Sequence, residues 1–219
     1  MKRRKKRLTT RKRSALGWIT ALVLVVTAGH LWGLYCLTPG RALRKVEQES
    51  NCGRTEWIYE DTDPAGLDRG TLRLSGGDHA AVLGVYRFSW QEGWESRTVE
   101  VLEREPQRPF TARLFSGWSS SEGAESYVRF TRYFYIFGTL EFPETAELEV
   151  TFDAQEGGTD QTVRLTEADW ITNQAGDRFF LCALEPEEDL HSYACCITAY
   201  DANGGELGTF QAAGIPHWE

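Results

Sequence analysis

The chain has 219 residues, enough for one domain or two small ones with a real hydrophobic core. Its net charge of −8 is unevenly spread, because the first 13 residues hold nine basic residues and no acid. From residue 47 onward there are 32 acidic and 12 basic residues, a net charge of −20, so this part lacks the basic surface that nucleic-acid phosphates require. We therefore expect no nucleic-acid partner.

An apolar stretch follows the basic tail. Residues 14–40 contain no charged side chain, and their centre is almost entirely apolar. A bilayer core about 30 Å thick needs about 20 such residues as a helix. Trp18 near one end and Trp32 and Tyr35 near the other suit the two headgroup interfaces. We predict a basic tail at residues 1–13 and one transmembrane helix at residues 14–37.

The basic residues also predict how this helix is oriented. Nine precede it, whereas three, Arg41, Arg44 and Lys45, follow it. The positive-inside rule then places the N-terminus in the cytoplasm and the C-terminal part outside. A cleaved signal peptide is the alternative, but the apolar stretch is long for one and no Ala-x-Ala follows it. The expected location is the cell membrane, with the helix retained as a single-pass anchor.

A short stalk is predicted between the membrane and the rest of the chain, at residues 38–53. Thr-Pro-Gly at residues 38–40 is typical of a helix stop. Residues 41–50 are good helix formers that carry one apolar pair, Leu43 and Val46. This second helix is expected to end at the Asn-Cys-Gly of residues 51–53.

From residue 56 onward the pattern changes to strands. Leu148, Val150 and Phe152 alternate with polar residues, which is typical of a half-buried antiparallel strand. Clusters of Gly, Asp, Asn and Pro separate such runs, and Asn203-Gly204 favours a tight hairpin. The fold class predicted from many short strands is mainly β, an antiparallel β-sandwich.

The strands also suggest a division of the outer part. Residues 116–124 are rich in Gly and Ser and predict a loop, so we place a β-rich subdomain at residues 54–124 and a sandwich subdomain at residues 125–219. Within the second, residues 127–137 are strongly aromatic, which is typical of a central strand buried on both faces.

One resemblance to known proteins rests on the C-terminal part. The segments Phe-Gly-Thr-Leu-Glu-Phe-Pro at residues 137–143 and Ile-Thr-Ala-Tyr-Asp-Ala-Asn-Gly at residues 197–204 resemble immunoglobulin-like modules of bacterial surface proteins. Such modules often end in a Tyr-Asp-x-x-Gly hairpin. The whole layout resembles uncharacterised bitopic envelope proteins of Gram-positive bacteria. The resemblance implies an immunoglobulin-like sandwich outside the membrane and carries no functional residues over to this chain.

Four of the five cysteines lie in the outer part. Cys182 and Cys195 are placed for a cross-strand disulfide, whereas Cys195 and Cys196 point to opposite faces of a strand and cannot share a partner. Buried free thiols that fill core positions are the alternative. The chain has no Cys-x-x-Cys and no histidine pair at zinc spacing, so we expect no metal and no cofactor.

Three tryptophans are candidate binding residues. Trp90, Trp94 and Trp118 stand in Gly-rich, loop-like surroundings, where an exposed indole can stack on a sugar or anchor a protein. The simpler interpretation is that they close the edges of the sandwich.

No catalytic motif is present. The chain has no Gly-x-Ser-x-Gly, and no lysine follows Lys45, which excludes a lysine nucleophile in the outer part. We expect a non-enzymatic, membrane-anchored binding or structural component of the envelope, with an envelope protein or cell-wall glycan as partner. An extracellular carbohydrate-binding or sensor module and an envelope hydrolase without a recognisable motif are the alternatives.

Overall fold

The computed structural model describes residues 10–32, 35–64, 70–122, 128–153, 160–187 and 193–214, with side chains omitted for part of these ranges. The described chain is mainly β and its sheets are antiparallel, as the sequence predicts. Within these ranges twelve strands follow two helices, α1 (Thr10–Leu31) and α2 (Pro39–Ser50).

The first helix ends earlier than the predicted residue 37. After Leu31 the backbone N–H of Trp32 still donates to Ala28, but that of Tyr35 donates to the carbonyl of Gly29, at 3.1 Å, and closes the helix end. Most of the large apolar side chains described on α1, from Leu16 to Leu31, are exposed, and Val26 is half-buried. Within the part of the chain that the structure describes, no helix is both long enough and apolar enough to cross a membrane.

Helix α2 has the predicted end and a clear start. The side chain of Thr38 accepts a hydrogen bond from the backbone N–H of Arg41, and Pro39 occupies the first turn, where its missing N–H costs nothing. Asn51 ends the helix in the left-handed conformation, at φ 52°, as the Asn-Cys-Gly signal indicates.

The strands form three four-stranded sheets. Sheet A holds β1 to β4, sheet B has the order β5-β6-β10-β9, and sheet C has the order β12-β11-β7-β8. The bounds of the strands are β1 Glu56–Asp61, β2 Thr71–Gly76, β3 Ala80–Ser89, β4 Gly93–Glu103, β5 Phe110–Glu122, β6 Val128–Leu140, β7 Thr145–Asp153, β8 Gln161–Thr166, β9 Ile171–Thr172, β10 Arg178–Glu187, β11 Tyr193–Asp201 and β12 Glu206–Gly214. A short 3-10 turn, Glu167–Asp169, follows β8.

Sheet B is the middle layer of the molecule. One of its faces packs against sheet A and the other against sheet C, so two hydrophobic cores share this sheet. Strand β6 shows the arrangement directly, because its alternate residues enter different cores. Phe134 and Ile136 face sheet C, whereas Tyr135 and Phe137 face sheet A. For residues 134–137 this confirms a central strand buried on both faces, whereas residue 127 and the side chains of residues 128–133 lie outside the part that the structure describes.

The loop predicted at residues 116–124 is wrong for residues 116–122, and residues 123 and 124 lie outside the described residues. Residues 116–122 belong to β5, which pairs with β6 without interruption from Phe110 opposite Leu140 to Glu122 opposite Val128. The pairing partner overrides the loop-like composition, since a long hairpin satisfies the backbone hydrogen bonds of both strands. The predicted division between residues 124 and 125 therefore falls at the connection of two strands of one sheet.

Helix α2 packs on sheet A instead of standing free as a stalk. Leu43 and Val46, the apolar pair seen in the sequence, are buried against Ala80 and Val82 of β3. On the same side the carboxylate of Glu47 is buried and held by three hydrogen-bond donors. It accepts hydrogen bonds from the backbone N–H and the hydroxyl of Thr55, at 2.6 and 2.8 Å, and from the guanidinium of Arg44, at 2.6 Å. Apolar packing and a satisfied buried charge therefore hold the helix on the sheet.

A buried ion cluster ties sheet A to the turns around sheet B. The guanidinium of Arg104, just after β4, bonds both carboxylate oxygens of Glu141, at 2.9 and 2.8 Å. The same guanidinium lies 3.0 Å from Asp177, which precedes β10. The Glu141 side chain is only 5 % exposed, so its charge depends on this partner.

Candidate functional site

The hairpin between β3 and β4 presents the most exposed aromatic residue of the described sheets. Its turn covers residues 90–92, and the backbone N–H of Glu92 donates to the hydroxyl of Ser89 at 3.0 Å. Gly93 follows with φ +76°, the left-handed position that closes a three-residue hairpin loop. Trp90 therefore stands at the tip with 89 % of its surface exposed.

The aromatic side chains of this hairpin contact one another. The ring of Phe88 meets Trp90 edge-on at a centroid distance of 5.5 Å and lies 5.9 Å from Trp94 in a tilted arrangement. Both distances lie within the range of favourable aromatic pairs. Two of the three predicted binding tryptophans are thus brought together by a residue, Phe88, that the sequence did not single out.

The inner face of Trp94 is occupied by an arginine. The guanidinium carbon of Arg73, on β2, lies 5.5 Å from the Trp94 ring centroid and 5.2 Å from that of Trp57. Arg73 also forms an ion pair with Glu60 at 2.9 Å. Trp94 is half-buried as a result, and a cation already lies within cation–π distance of its ring.

The backbone of Trp118 lies in a different sheet from this hairpin. It lies on β5 in sheet B, paired with Arg132 of β6, whereas Trp90 and Trp94 belong to the hairpin of sheet A. The side chain of Trp118 lies outside the part that the structure describes. A joint binding face for all three tryptophans thus gains no support from the described residues.

The hairpin is attached to the chain that leaves α1. The backbone N–H of Trp94 donates to the carbonyl oxygen of Cys36 at 2.7 Å, and the hydroxyl of Tyr35 lies 3.4 Å from the carbonyl oxygen of Trp90. Gly93 is needed at this point, because a Cβ on it would lie 2.5 Å from the Cys36 carbonyl oxygen. The end of the apolar helix and the tip of the hairpin are therefore neighbours.

His30 fastens the last turn of α1 to the same linker. Its Nδ1 lies 3.0 Å from the carbonyl oxygen of Tyr35 and 3.3 Å from the backbone nitrogen of Leu37. Each ring tautomer serves one of these two groups, as a donor or as an acceptor. The ring thus has a structural role at the helix end.

A small ring of packed residues backs the hairpin. Tyr86 on β3 is fully buried and meets the Trp57 ring edge-on at 5.1 Å, and the two pack against Cys36 and Ala42. Burial, reinforced by the charge of Glu47, raises the pKa of Tyr86 well above its ordinary value. The phenol of Tyr86 therefore stays neutral, and the four packed residues form part of the hydrophobic core.

Two notches flank this junction. One, of about 350 Å³, is lined by Trp32, Arg41 and Lys45. The other, of about 490 Å³, is lined by Trp94, Lys45 and the carboxylates of Glu92 and Glu95. A hydrogen bond shared with Glu92, and then desolvation, raises the pKa of Glu95, although the nearby Arg97 opposes the shift.

The two candidate disulfide cysteines lie on different sheets. Cys182 lies on β10 of sheet B and Cys195 on β11 of sheet C, and both are buried in the core between these sheets. A pairing between adjacent strands is therefore wrong, and any bond between them would join two sheets. Burial raises the pKa of Cys182 to about 11 and that of Cys195 to about 12. Whether they form a disulfide stays a prediction.

A groove of about 730 Å³ lies far from the motifs considered in the sequence. It runs between the connection of β4 to β5 and strand β12, with Leu102, Pro109, Phe110 and Phe210 in its lining. Its charged neighbours Arg108 and Arg113 are paired with Glu105 and Glu100. Among the described residues, no three His, Cys, Asp or Glu side chains are grouped so that they could hold a metal ion.

No family model, no curated protein and no solved structure matches this chain. The resemblance to immunoglobulin-like modules and to bitopic envelope proteins of Gram-positive bacteria therefore stays a prediction.

Proposed function

We propose that the chain is a single-pass membrane protein whose β sheets lie outside the cytoplasm and serve as a non-enzymatic binding or structural component of the cell envelope. The observation that carries this proposal is the exposed apolar surface of α1. Leu16, Trp18, Leu22 and Val25 are each between 58 and 76 % exposed, on a helix that packs none of them against the sheets. A helix that is apolar all round needs an apolar environment.

Helix α1 alone is short for a membrane span, but the charge-free stretch of the sequence is longer than the helix, and its length supports this proposal. Counted from Ser14, the charge-free part of α1 is about 27 Å long at about 1.5 Å per residue, near the about 30 Å of a hydrocarbon core. The sequence stays free of charged residues as far as residue 40, so the linker adds to this length. The nine basic residues before the helix, against three shortly after it, favour a cytoplasmic N-terminus.

Membrane extraction of the full-length protein tests the anchor. We expect it to remain with the membranes in alkaline carbonate, and a C-terminal tag to be cleaved by protease added outside intact cells. Introducing two charges with Leu22→Arg and Leu24→Arg costs about 2.5–3.5 kcal/mol each at a helix centre and should release the protein. The control Gln48→Arg adds a charge at an exposed position of α2 and should leave the protein with the membranes. Carbonate extraction of the unaltered protein would refute the anchor.

A carbohydrate-binding or sensor role is a second candidate, favoured by the open position of Trp90. One flat exposed ring can stack on a sugar, whereas Trp94 already has Arg73 over its ring. Co-sedimentation with purified peptidoglycan sacculi tests this role. Binding that is lost in Trp90→Ala and kept in Tyr59→Ala, another exposed aromatic, would support it.

The hydrolase alternative has little to support it at the junction. Glu92 and Glu95 are near enough to share a hydrogen bond, which is closer than the about 5 Å between the carboxyl groups of a retaining glycosidase. An inverting enzyme needs a still wider gap for its water.

A further inference from the structure

The exposed apolar side chains beyond α1 are concentrated at one place. Among the described residues after Leu31, the large apolar side chains that remain exposed are Trp32 at 78 %, Leu37 at 42 %, Tyr59 at 37 %, Phe88 at 39 % and Trp90 at 89 %. All of these except Tyr59 belong to the linker after α1 or to the β3–β4 hairpin. Exposed apolar side chains grouped on neighbouring segments are typical of an interaction site.

The contacts described above put the hairpin tip beside the helix end. The Tyr35 hydroxyl reaches the Trp90 carbonyl at 3.4 Å, and Tyr35 is only three residues beyond Trp32. Tyr59 lies elsewhere, because it pairs with Leu74, which pairs with Leu83, seven residues before Trp90 on β3. At about 3.3 Å per residue, Tyr59 is about 23 Å from the tip along the strand.

We propose that Phe88 and Trp90 form a second membrane contact, which inserts the β3–β4 hairpin into the headgroup region of the leaflet where α1 emerges. This inference rests on the membrane anchor proposed above. Tryptophan favours that region, because its ring is apolar and its N–H is polar. A helix alone leaves the sheets free to tilt, whereas a helix and a hairpin together fix their orientation to the membrane.

The charges around the patch fit a zwitterionic phospholipid surface. Arg41, Lys45 and Glu49 line the notch beside Trp32. Lys45 lies 4.0 Å from the Glu49 carboxylate, and the Arg41 guanidinium can meet a lipid phosphate. Glu92 and Glu95 line the adjoining notch and disfavour a strongly anionic surface. The partner is therefore the phospholipid bilayer itself. Phe88 and Trp90 would contact its apolar region, and the notch beside Trp32 would lie at the depth of the lipid phosphates.

Fluorescence quenching by brominated lipid tests this contact on the full-length protein in phosphatidylcholine vesicles. The difference between the unaltered protein and Trp90→Phe isolates the emission of Trp90, and the substitution keeps an aromatic ring at an exposed site. We expect this emission to lose most of its intensity when the lipid carries bromine in the upper acyl chain. The double variant Trp90→Phe with Tyr59→Trp has the same number of tryptophans, and its added emission should keep its intensity.

The outcomes separate the two proposals. If the Trp90 emission is equally strong with and without bromine, while the Trp18 emission isolated by Trp18→Phe is quenched, the anchor stands and the second contact is refuted. Equal quenching at positions 59 and 90 also refutes it, because the hairpin would then not be the part that faces the lipid. If the Trp18 emission is not quenched and the protein does not float with the vesicles, the membrane anchor itself is refuted.

Discussion

Replacing Gly93 by alanine perturbs the point where the hairpin is attached to the linker after α1. Gly93 has φ +76°, and a Cβ there would lie 2.5 Å from the carbonyl oxygen of Cys36. That oxygen accepts the backbone N–H of Trp94 at 2.7 Å. The two atoms of Cys36 beside the added Cβ belong to the backbone and the third neighbour is the Tyr35 ring, so the linker must move away and the hydrogen bond must break.

The magnitude follows from two contributions. A left-handed φ costs an L-residue about 1–2 kcal/mol, and a buried backbone group left without its hydrogen bond costs about 1–3 kcal/mol. Together they weaken the attachment by about 3 kcal/mol, a factor of about 150 in the equilibrium. Gly204 provides the matched control, because it has φ +80° but open space around its missing Cβ. Gly204→Ala carries the first cost alone.

Native-state amide hydrogen exchange of the full-length protein measures this attachment. Local opening frees the Trp94 amide, so Gly93→Ala should accelerate its exchange by about a hundredfold. In Gly204→Ala the Trp94 amide should exchange as in the unaltered protein, while amides of the β11–β12 turn exchange faster. Equal Trp94 exchange rates in the two variants would refute the prediction, because they would show that the linker does not hold the hairpin.

Three further predictions concern the folded sheets. Arg104→Met leaves a buried carboxylate without its partner and should lower the free energy of unfolding in urea by about 3–5 kcal/mol, whereas Arg164→Met, on an exposed pair, should cost less than about 1 kcal/mol. Equal losses would refute the buried cluster. Leu43→Ala should cost about 2–5 kcal/mol in the same assay, because this side chain is 1 % exposed, and a loss below about 1 kcal/mol would mean that α2 is not packed on sheet A. Because burial raises the pKa of Cys182 to about 11 and that of Cys195 to about 12, alkylation of the folded, reduced protein at pH 8 should be far slower than after unfolding and should speed up as pH rises. Equal alkylation rates before and after unfolding would contradict this.

Local patterns in the sequence predicted the elements better than their arrangement. The alternation of Leu148, Val150 and Phe152 identifies the buried face of β7, and the structure places all three in the core between sheets B and C. Periodicity shows which face is buried but not what covers it. The three layers therefore could not be predicted, since they depend on which sheets meet.

The composition of residues 116–122 was misleading for a related reason. Gly and Ser favour loops locally, but these residues have β6 as a pairing partner over their whole length. The end of α1 shows the same limit of local patterns. The helix stops where His30 contacts the linker, whereas the charge-free stretch of the sequence continues to residue 40 and does not mark this end.

Only part of the candidate site could be predicted from the sequence. Trp90 and Trp94 are conspicuous, because they frame a Gly-containing turn. Arg73 is a single charge between two leucines on β2, a weak signal that gives no hint of the two rings it contacts. The contact of Tyr35 with Trp90 joins residues 55 positions apart, and no local pattern encodes a pairing of that kind.

The shared middle sheet has a consequence for how this molecule comes apart. Removing either outer sheet would expose one full face of β5, β6 and β10, including Phe134 and Ile136 on one side or Tyr135 and Phe137 on the other. Neither half is then a self-sufficient fragment, and a chain cut near residue 124 separates β5 from the strand it pairs with. The three sheets should unfold as one cooperative unit, so that a substitution that destabilises one outer sheet also lowers the stability of the other.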